Sequence, residues 1–174
     1  YNWVMLKLLT SFILKLMGWK VFKHCDVPKK GIMICAPHTS NWDFIYTMLG
    51  MSAMGIPFNW VAKHTLFIWP FGLFFRWMGG IPINRKSSGS FFKQILQQFR
   101  QRDKLLLGIS PEGTRARTAE WKTGFYTLAM KTGSPLVMAY IDYPSKTMGV
   151  GKVLELTGDI SSDFIHIRDF YSTK

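Results

Sequence analysis

Hydrophobic and polar positions fall into two regimes along the chain. From Asn2 to Phe22 almost every residue is apolar, and the polar Lys7, Ser11 and Lys15 recur every four positions. That spacing lines them up on one stripe of a helix and leaves most of its circumference apolar. Such a helix must be buried in something. Two internal lysines make it a poor transmembrane span, since each charge near the bilayer centre costs about 2.5–3.5 kcal/mol on insertion scales. A seat in the plane of a membrane interface suits it better, with Trp3 and Trp19 at headgroup depth and Lys7, Lys15, Lys20 and Lys23 facing anionic lipid. Packing on the protein's own core is the alternative. A cleaved secretory signal is not expected, because the chain does not combine a basic start with a small-residue cleavage site.

Beyond Lys29-Lys30-Gly31, short apolar runs alternate with longer amphipathic segments. Residues 32–36, 58–62, 81–84, 105–109, 135–142 and 153–157 predict strands, being short and bounded by Gly, Pro or charge. Residues 42–54, 64–78, 89–102 and 124–132 predict helices. This alternation predicts an α/β fold: a single domain with a largely parallel or mixed β-sheet flanked by helices. No repeat, low-complexity tract or linker interrupts it. The expected organisation is therefore a membrane-associating amphipathic helix within residues 1–28 and one α/β domain over 29–174.

Composition adds a reason to look for an interface. The chain is 48% hydrophobic and 16% aromatic, yet its net charge is +12. Apolar surface and positive charge together favour anionic lipid. Six lysines against Asp26 mark residues 1–30, and nine basic residues against Asp103, Glu112 and Glu120 mark residues 84–122, whereas residues 123–174 balance five against five. The first cluster suggests a membrane patch and the second a substrate patch. Cys25 and Cys35 do not form a disulfide scaffold, and the set His24, Cys25, Cys35 and His38 lacks a Cys-x-x-Cys pair, so no metal is expected.

The candidate chemistry lies where predicted strands end, which is where α/β folds place their working loops. His38-Thr39-Ser40-Asn41-Trp42-Asp43 follows the first predicted body strand, Gly80-Ile81-Pro82-Ile83-Asn84-Arg85 contains the third, and Pro111-Glu112-Gly113-Thr114-Arg115 follows the fourth. If Ser40 or Asn41 caps the helix that Asp43 begins, the carboxylate can turn back to an imidazole nitrogen. That fixes the tautomer and leaves the other nitrogen to take a proton from an alcohol. Arg85 and Arg115 suit a phosphate clamp, with Thr114 and the Gly113 backbone as further donors and Lys63 and Lys122 as added positive charge. There is no Gly-x-Ser-x-Gly elbow and no Gly-x-x-x-x-Gly-Lys-Ser/Thr loop. Direct attack by a substrate hydroxyl is thus the simpler mechanism, and nucleotide hydrolysis is not expected.

At these residues the chain resembles the glycerophospholipid acyltransferase superfamily, typified by bacterial 1-acylglycerol-3-phosphate acyltransferases. The resemblance runs from about Gly31 to about Asp142. His38 and Asp43 match its His-x-x-x-x-Asp block, Lys63 to Arg85 match the second block, and Glu112-Gly113-Thr114-Arg115 match the third in full. It implies transfer of a fatty acyl group from an acyl-carrier-protein or CoA thioester, as co-substrate and without a further cofactor, to a lysophospholipid-like hydroxyl. His38 would be the base and Asp43 its orienting partner. Arg85 and Arg115 would bind the acceptor phosphate, Gly113 and Thr114 would shape that site, and Glu112 would organise its loop. The family's interfacial N-terminal helices agree with the anchor read from the hydrophobic pattern. The implied location is the cytoplasmic face of a bacterial inner membrane, with monotopic or peripheral attachment. Departures are Asn84 for the usual Asp, Pro82 within the apolar run, Pro37 and Thr39 beside the histidine, and Ala139-Tyr140 in the fourth block after Pro135.

An acyl tunnel would draw on Phe44, Met48, Phe67, Trp69, Phe71, Phe74 and Phe75. Two other function classes compete with this one. One is a catalytically silent, membrane-associated lipid-binding protein of the same fold. The other is nucleic-acid binding, which rests on charge alone and lacks any recognition motif, so the expected partners are lipid and thioester rather than nucleic acid.

Overall fold

A computed structural model describes residues 2–36, 40, 42–84, 88–112 and 121–173. The expected residues His38, Arg85, Gly113, Thr114 and Arg115 lie outside the described residues. The elements in chain order are α1 (Asn2–Leu16), β1 (Lys20–Lys23), β2 (Lys30–Cys35), α2 (Trp42–Met54), β3 (Trp60–Lys63), a 3₁₀ turn (His64–Phe67), α3 (Gly72–Trp77) and β4 (Gly80–Ile83), followed by α4 (Ser88–Gln101), β5 (Leu105–Ile109), α5 (Gly124–Thr132), β6 (Leu136–Asp142), β7 (Thr147–Leu154) and α6 (Ile160–Ser172).

A mixed five-stranded sheet has the order β1-β7-β6-β2-β5, and β3 pairs with β4 in a smaller parallel sheet. Within the larger sheet β2 runs parallel to both β5 and β6, β1 runs parallel to β7, and β6 pairs with β7 antiparallel. An isolated parallel bridge between Asn59 and Leu107 joins the smaller sheet to the edge at β5.

The period-two alternation of the central strands sorts their side chains into two layers. Ile32, Ile34, Leu105, Leu107, Leu136 and Met138 pack with Ile95 and Phe99 of α4, Phe125 and Leu128 of α5 and Ile167 of α6. Met33, Leu106, Val137, Ala139 and Val150 face the other way, onto Met51 and Ile56 in and after α2. Because both faces are covered, β2 has four consecutive buried residues, as a parallel strand between two helical layers should.

The prediction of an α/β domain with a mixed sheet and an N-terminal helix agrees with this architecture. Four local expectations need correction. The first helix ends at Leu16 rather than Phe22, because Gly18 takes φ 78° and Lys20–Lys23 becomes an edge strand on β7. Trp19, expected at headgroup depth, is instead 7% exposed within the protein. The single helix expected over 64–78 is a 3₁₀ turn and a short α3, since Pro70 between them lacks an amide hydrogen and breaks the ladder. The strand expected over 153–157 is the end of β7, which starts at Thr147, and α6 follows where no helix was predicted.

Candidate active site

Parallel pairing sets the site's position. The C-terminal ends of β2, β5 and β6 emerge on one edge of the sheet. The parallel bridge from Asn59 to β5 and the β3/β4 pairing give the smaller sheet the same direction. Asp43, Asn84, Glu112 and Tyr143 therefore all follow strand exits at that edge, and so do the segments flanking the undescribed motif residues. Lys63 is the register partner of Ile83, which puts its backbone beside the approach to Asn84.

Local geometry at the start of α2 is that of a capped helix. Ser40 Oγ accepts a hydrogen bond from the Trp42 amide at 3.1 Å, and the Ser40 amide donates to Asp43 Oδ2 at 2.8 Å. Ser40 is thus the cap, and the carboxylate is turned back across the helix start onto the Ser40 amide, while its expected imidazole partner, His38, lies outside the described residues. Asp43 is buried at 3% exposure. Its other oxygen, Oδ1, accepts a hydrogen bond from the Tyr143 hydroxyl. Burial, the hydrogen bond to Asp43, the Asp43 charge and neighbouring Tyr46 all push the Tyr143 phenol up. It is accordingly a neutral donor at physiological pH.

Tyr143 is itself held by an aromatic cluster. Its ring meets Trp19 edge-on at 5.4 Å and Tyr46 at 5.8 Å, and Trp19 lies 4.6 Å from Tyr46. The chain that follows α1 thus packs directly on the residue that holds the candidate carboxylate. Sequence reasoning missed Tyr143, which is 100 residues from Asp43.

The other motifs are fixed by backbone contacts. Gln94 of α4 accepts from the Asn84 amide at 3.0 Å and donates to the Asn84 carbonyl at 2.9 Å, pinning the residue before Arg85. The Lys122 amide donates to the Pro111 carbonyl at 2.8 Å, which closes the neck of the segment that carries Gly113, Thr114 and Arg115. Glu112 is half-buried, whereas the Lys63 and Lys122 side chains are exposed. Among the described residues, the buried hydroxyl of Ser110, just before this neck, has no hydrogen-bond partner.

Beside Asp43, Cys35, Ala36, Thr47, Gly50 and Tyr140 help to line a cavity of about 20 Å³, enough for about one water molecule. It is far too small for an acyl chain. Burial pushes the Cys35 thiol up to about 12, so it stays protonated and is a poor nucleophile. Of the expected tunnel residues Met48 is half-buried on α2, and the others separate into two groups. Phe67 and Phe75 turn inward onto Trp60, which also meets Phe44, while Trp69, Phe71 and Phe74 are exposed.

The acyltransferase family model matches residues 20–142. The chain belongs to the acyltransferase family. Among family members it is similar to the chloroplastic 1-acyl-sn-glycerol-3-phosphate acyltransferase BAT2 of Brassica napus, at 26% identity over 159 residues, covering 87% of this chain and 42% of that protein. It is similar to the same degree to the chloroplastic enzyme LPAT1 of Arabidopsis thaliana, covering 87% of this chain and 40% of that one. The chain therefore spans about two-fifths of the length of these relatives. In three dimensions it resembles the 1-acyl-sn-glycerophosphate acyltransferase PlsC from Thermotoga maritima, with a TM-score of 0.69 over 97% of this chain and 76% of that one. Sequence identity in that pair is 13%, so the likeness speaks to the fold.

Proposed function

We propose that this member of the acyltransferase family transfers a fatty acyl group from an acyl-carrier-protein or CoA thioester to the free hydroxyl of a lysophospholipid-like acceptor, with 1-acylglycerol-3-phosphate as the first choice. The work is done at a membrane surface, in phospholipid biosynthesis, on the cytoplasmic face of a bacterial inner membrane with monotopic or peripheral attachment. The observation that carries this reading is the buried Asp43 carboxylate, fixed from two sides and turned back over the cap that ends the His38 segment.

In this mechanism Asp43 orients the His38 imidazole, whose other nitrogen removes the proton from the acceptor hydroxyl. The alkoxide oxygen attacks the thioester carbonyl, forming the new C–O bond. Collapse of the tetrahedral intermediate breaks the C–S bond, and the departing thiolate takes the proton back from the imidazolium. Arg85 and Arg115 clamp the acceptor phosphate, with Gly113 and Thr114 as donors, Lys63 and Lys122 as supporting charge and Glu112 ordering the loop.

Incubation of the chain with acyl thioester and a panel of lysophospholipids, reading thiol release and lipid products by mass spectrometry, tests this directly. Lysophosphatidate should give thiol and phosphatidate in equal amounts. His38→Ala should lower the rate about a hundredfold to ten-thousandfold, the usual worth of a general base. Lipid binding with no thiol release from any acceptor would favour the silent lipid-binding protein instead.

A further inference from the structure

The segment Leu66–Trp77 is a second apolar protrusion, separate from α1. Ile68 is 68% exposed, Trp69 89%, Phe71 65%, Leu73 77% and Trp77 68%. The backbone is pinned where this segment ends. Trp60 Nε1 donates to the Met78 carbonyl at 3.0 Å, and Asn59 Nδ2 donates to the Gly79 carbonyl at 3.1 Å. A Cβ at Gly72 would lie 2.1 Å from the Phe67 carbonyl oxygen, so the glycine is what lets the chain fold back so tightly. Contiguous exposed apolar residues on this scale mark an interaction surface.

Charge and placement identify the occupant. No aspartate or glutamate occurs between Asp43 and Asp103, nor anywhere before Asp26. Exposed Lys63 precedes the protrusion and exposed Arg76 lies within it, with the Arg76 guanidinium 5.5 Å over the Phe67 ring. Lys7 and Lys15 are exposed on α1. The two apolar elements sit on opposite flanks of α2. α1 and the chain after it pack through Leu14 and Trp19 against Tyr46, Leu49 and Ala53, whereas the protrusion reaches Phe44 through Trp60. Phe44 and Tyr46 are two residues apart, about 200° around the helix, and exposed Ile45 lies between them.

Resting on the membrane-surface reading above, we propose that Leu66–Trp77 is a second membrane contact, seated with α1 in an anionic lipid surface so that α2 and its first-turn Asp43 are carried between two points of attachment. An acceptor whose acyl chain stays in the leaflet then reaches the site without leaving the membrane.

A fluorophore sensitive to polarity, attached through Leu73→Cys in a Cys25→Ser background, tests this with vesicles of phosphatidylglycerol and phosphatidylcholine. Its emission should shift to the blue and brighten on the anionic vesicles, and much less on phosphatidylcholine alone. Trp69→Glu with Phe71→Glu should weaken vesicle partitioning by about a hundredfold or more, the affinity equivalent of two buried aromatics, at an unchanged melting temperature. If the chain binds vesicles while the probe stays in a water-like environment, or the double variant binds as well as its parent, the second contact is wrong. A blue shift without vesicles that grows with protein concentration assigns the surface to a second copy of the chain and also overturns it. Should the intact chain not bind vesicles at all, the membrane-surface reading itself falls.

Discussion

Tyr143 and Asp43 decide the candidate site at the scale of single residues. A phenol that donates to one carboxylate oxygen, while a backbone amide donates to the other, leaves the carboxylate little freedom to rotate. Under the proposed mechanism Tyr143 would be a positioning residue, acting on the acceptor hydroxyl through Asp43 and His38. Tyr143→Phe should lower kcat about tenfold to hundredfold, the scale of a misplaced catalytic group, with little change in acceptor KM. In a His38→Ala background the same change should add almost nothing, because groups acting as one unit are not additive. Equal losses in both backgrounds would make Tyr143 merely structural. Asp43 was legible from the sequence because a serine cap and a first-turn acid are local signals. Tyr143 was not, because its bond exists only where β6 leaves the sheet beside β2.

At the scale of elements, α1 carries two faces with different tasks. Leu14 is 1% exposed and packs with Trp19, Ala53 and Met148, while Leu8 and Phe12 are 66% and 60% exposed. Packing on the protein's own core therefore holds for one face of this helix, and the other face stays exposed. Leu14→Ala should cost about 2–5 kcal/mol of stability in urea denaturation, as buried leucines do. Leu8→Glu with Phe12→Glu should leave that stability within about 0.5 kcal/mol and reduce sedimentation with anionic vesicles. Loss of stability in the second variant would mean that the outer face is covered by protein. No helix among the described residues is long and apolar enough to cross a membrane. The C-terminal α6 went unpredicted although its signals are in the chain: Asp159 accepts from the Ser161 amide at 3.0 Å as a cap, and Phe164, Ile167 and Tyr171 recur at helical spacing.

For the whole molecule, Asp163 of α6 ties the helical layer together. It is inaccessible to solvent and accepts hydrogen bonds from the Tyr126 hydroxyl at 2.8 Å, the Thr157 hydroxyl at 3.0 Å and the Thr157 and Gly158 amides. Burial works to raise this carboxyl, but the bonds from Tyr126, Thr157 and Gly158 outweigh it and hold it below its ordinary value. Conversely burial and Asp163 push the Tyr126 phenol up to about 12. A depressed carboxyl contributes stability that is fully present above its unfolded value of about 3.9 and is lost as pH falls through the folded one. Asp163→Asn should therefore cost about 1–3 kcal/mol at neutral pH and flatten the loss of stability on acidification below about pH 4, as chemical denaturation across pH would read.

The sequence by itself determined the α/β class, the central strands β2 and β5, the helices α2 and α5, and the capped start at Ser40 and Asp43. These depend on period-two and helical spacing and on caps that act within a few residues. Tertiary structure decided what lies between distant segments. It made Lys20–Lys23 a strand because an edge of β7 was open to it, buried Trp19 against Tyr46 and Tyr143, and brought a phenol from the end of β6 to the carboxylate at the start of α2. It also fixed which apolar residues stay outside: spacing can mark a side chain as apolar, but only packing partners supplied from elsewhere in the chain determine whether it is covered.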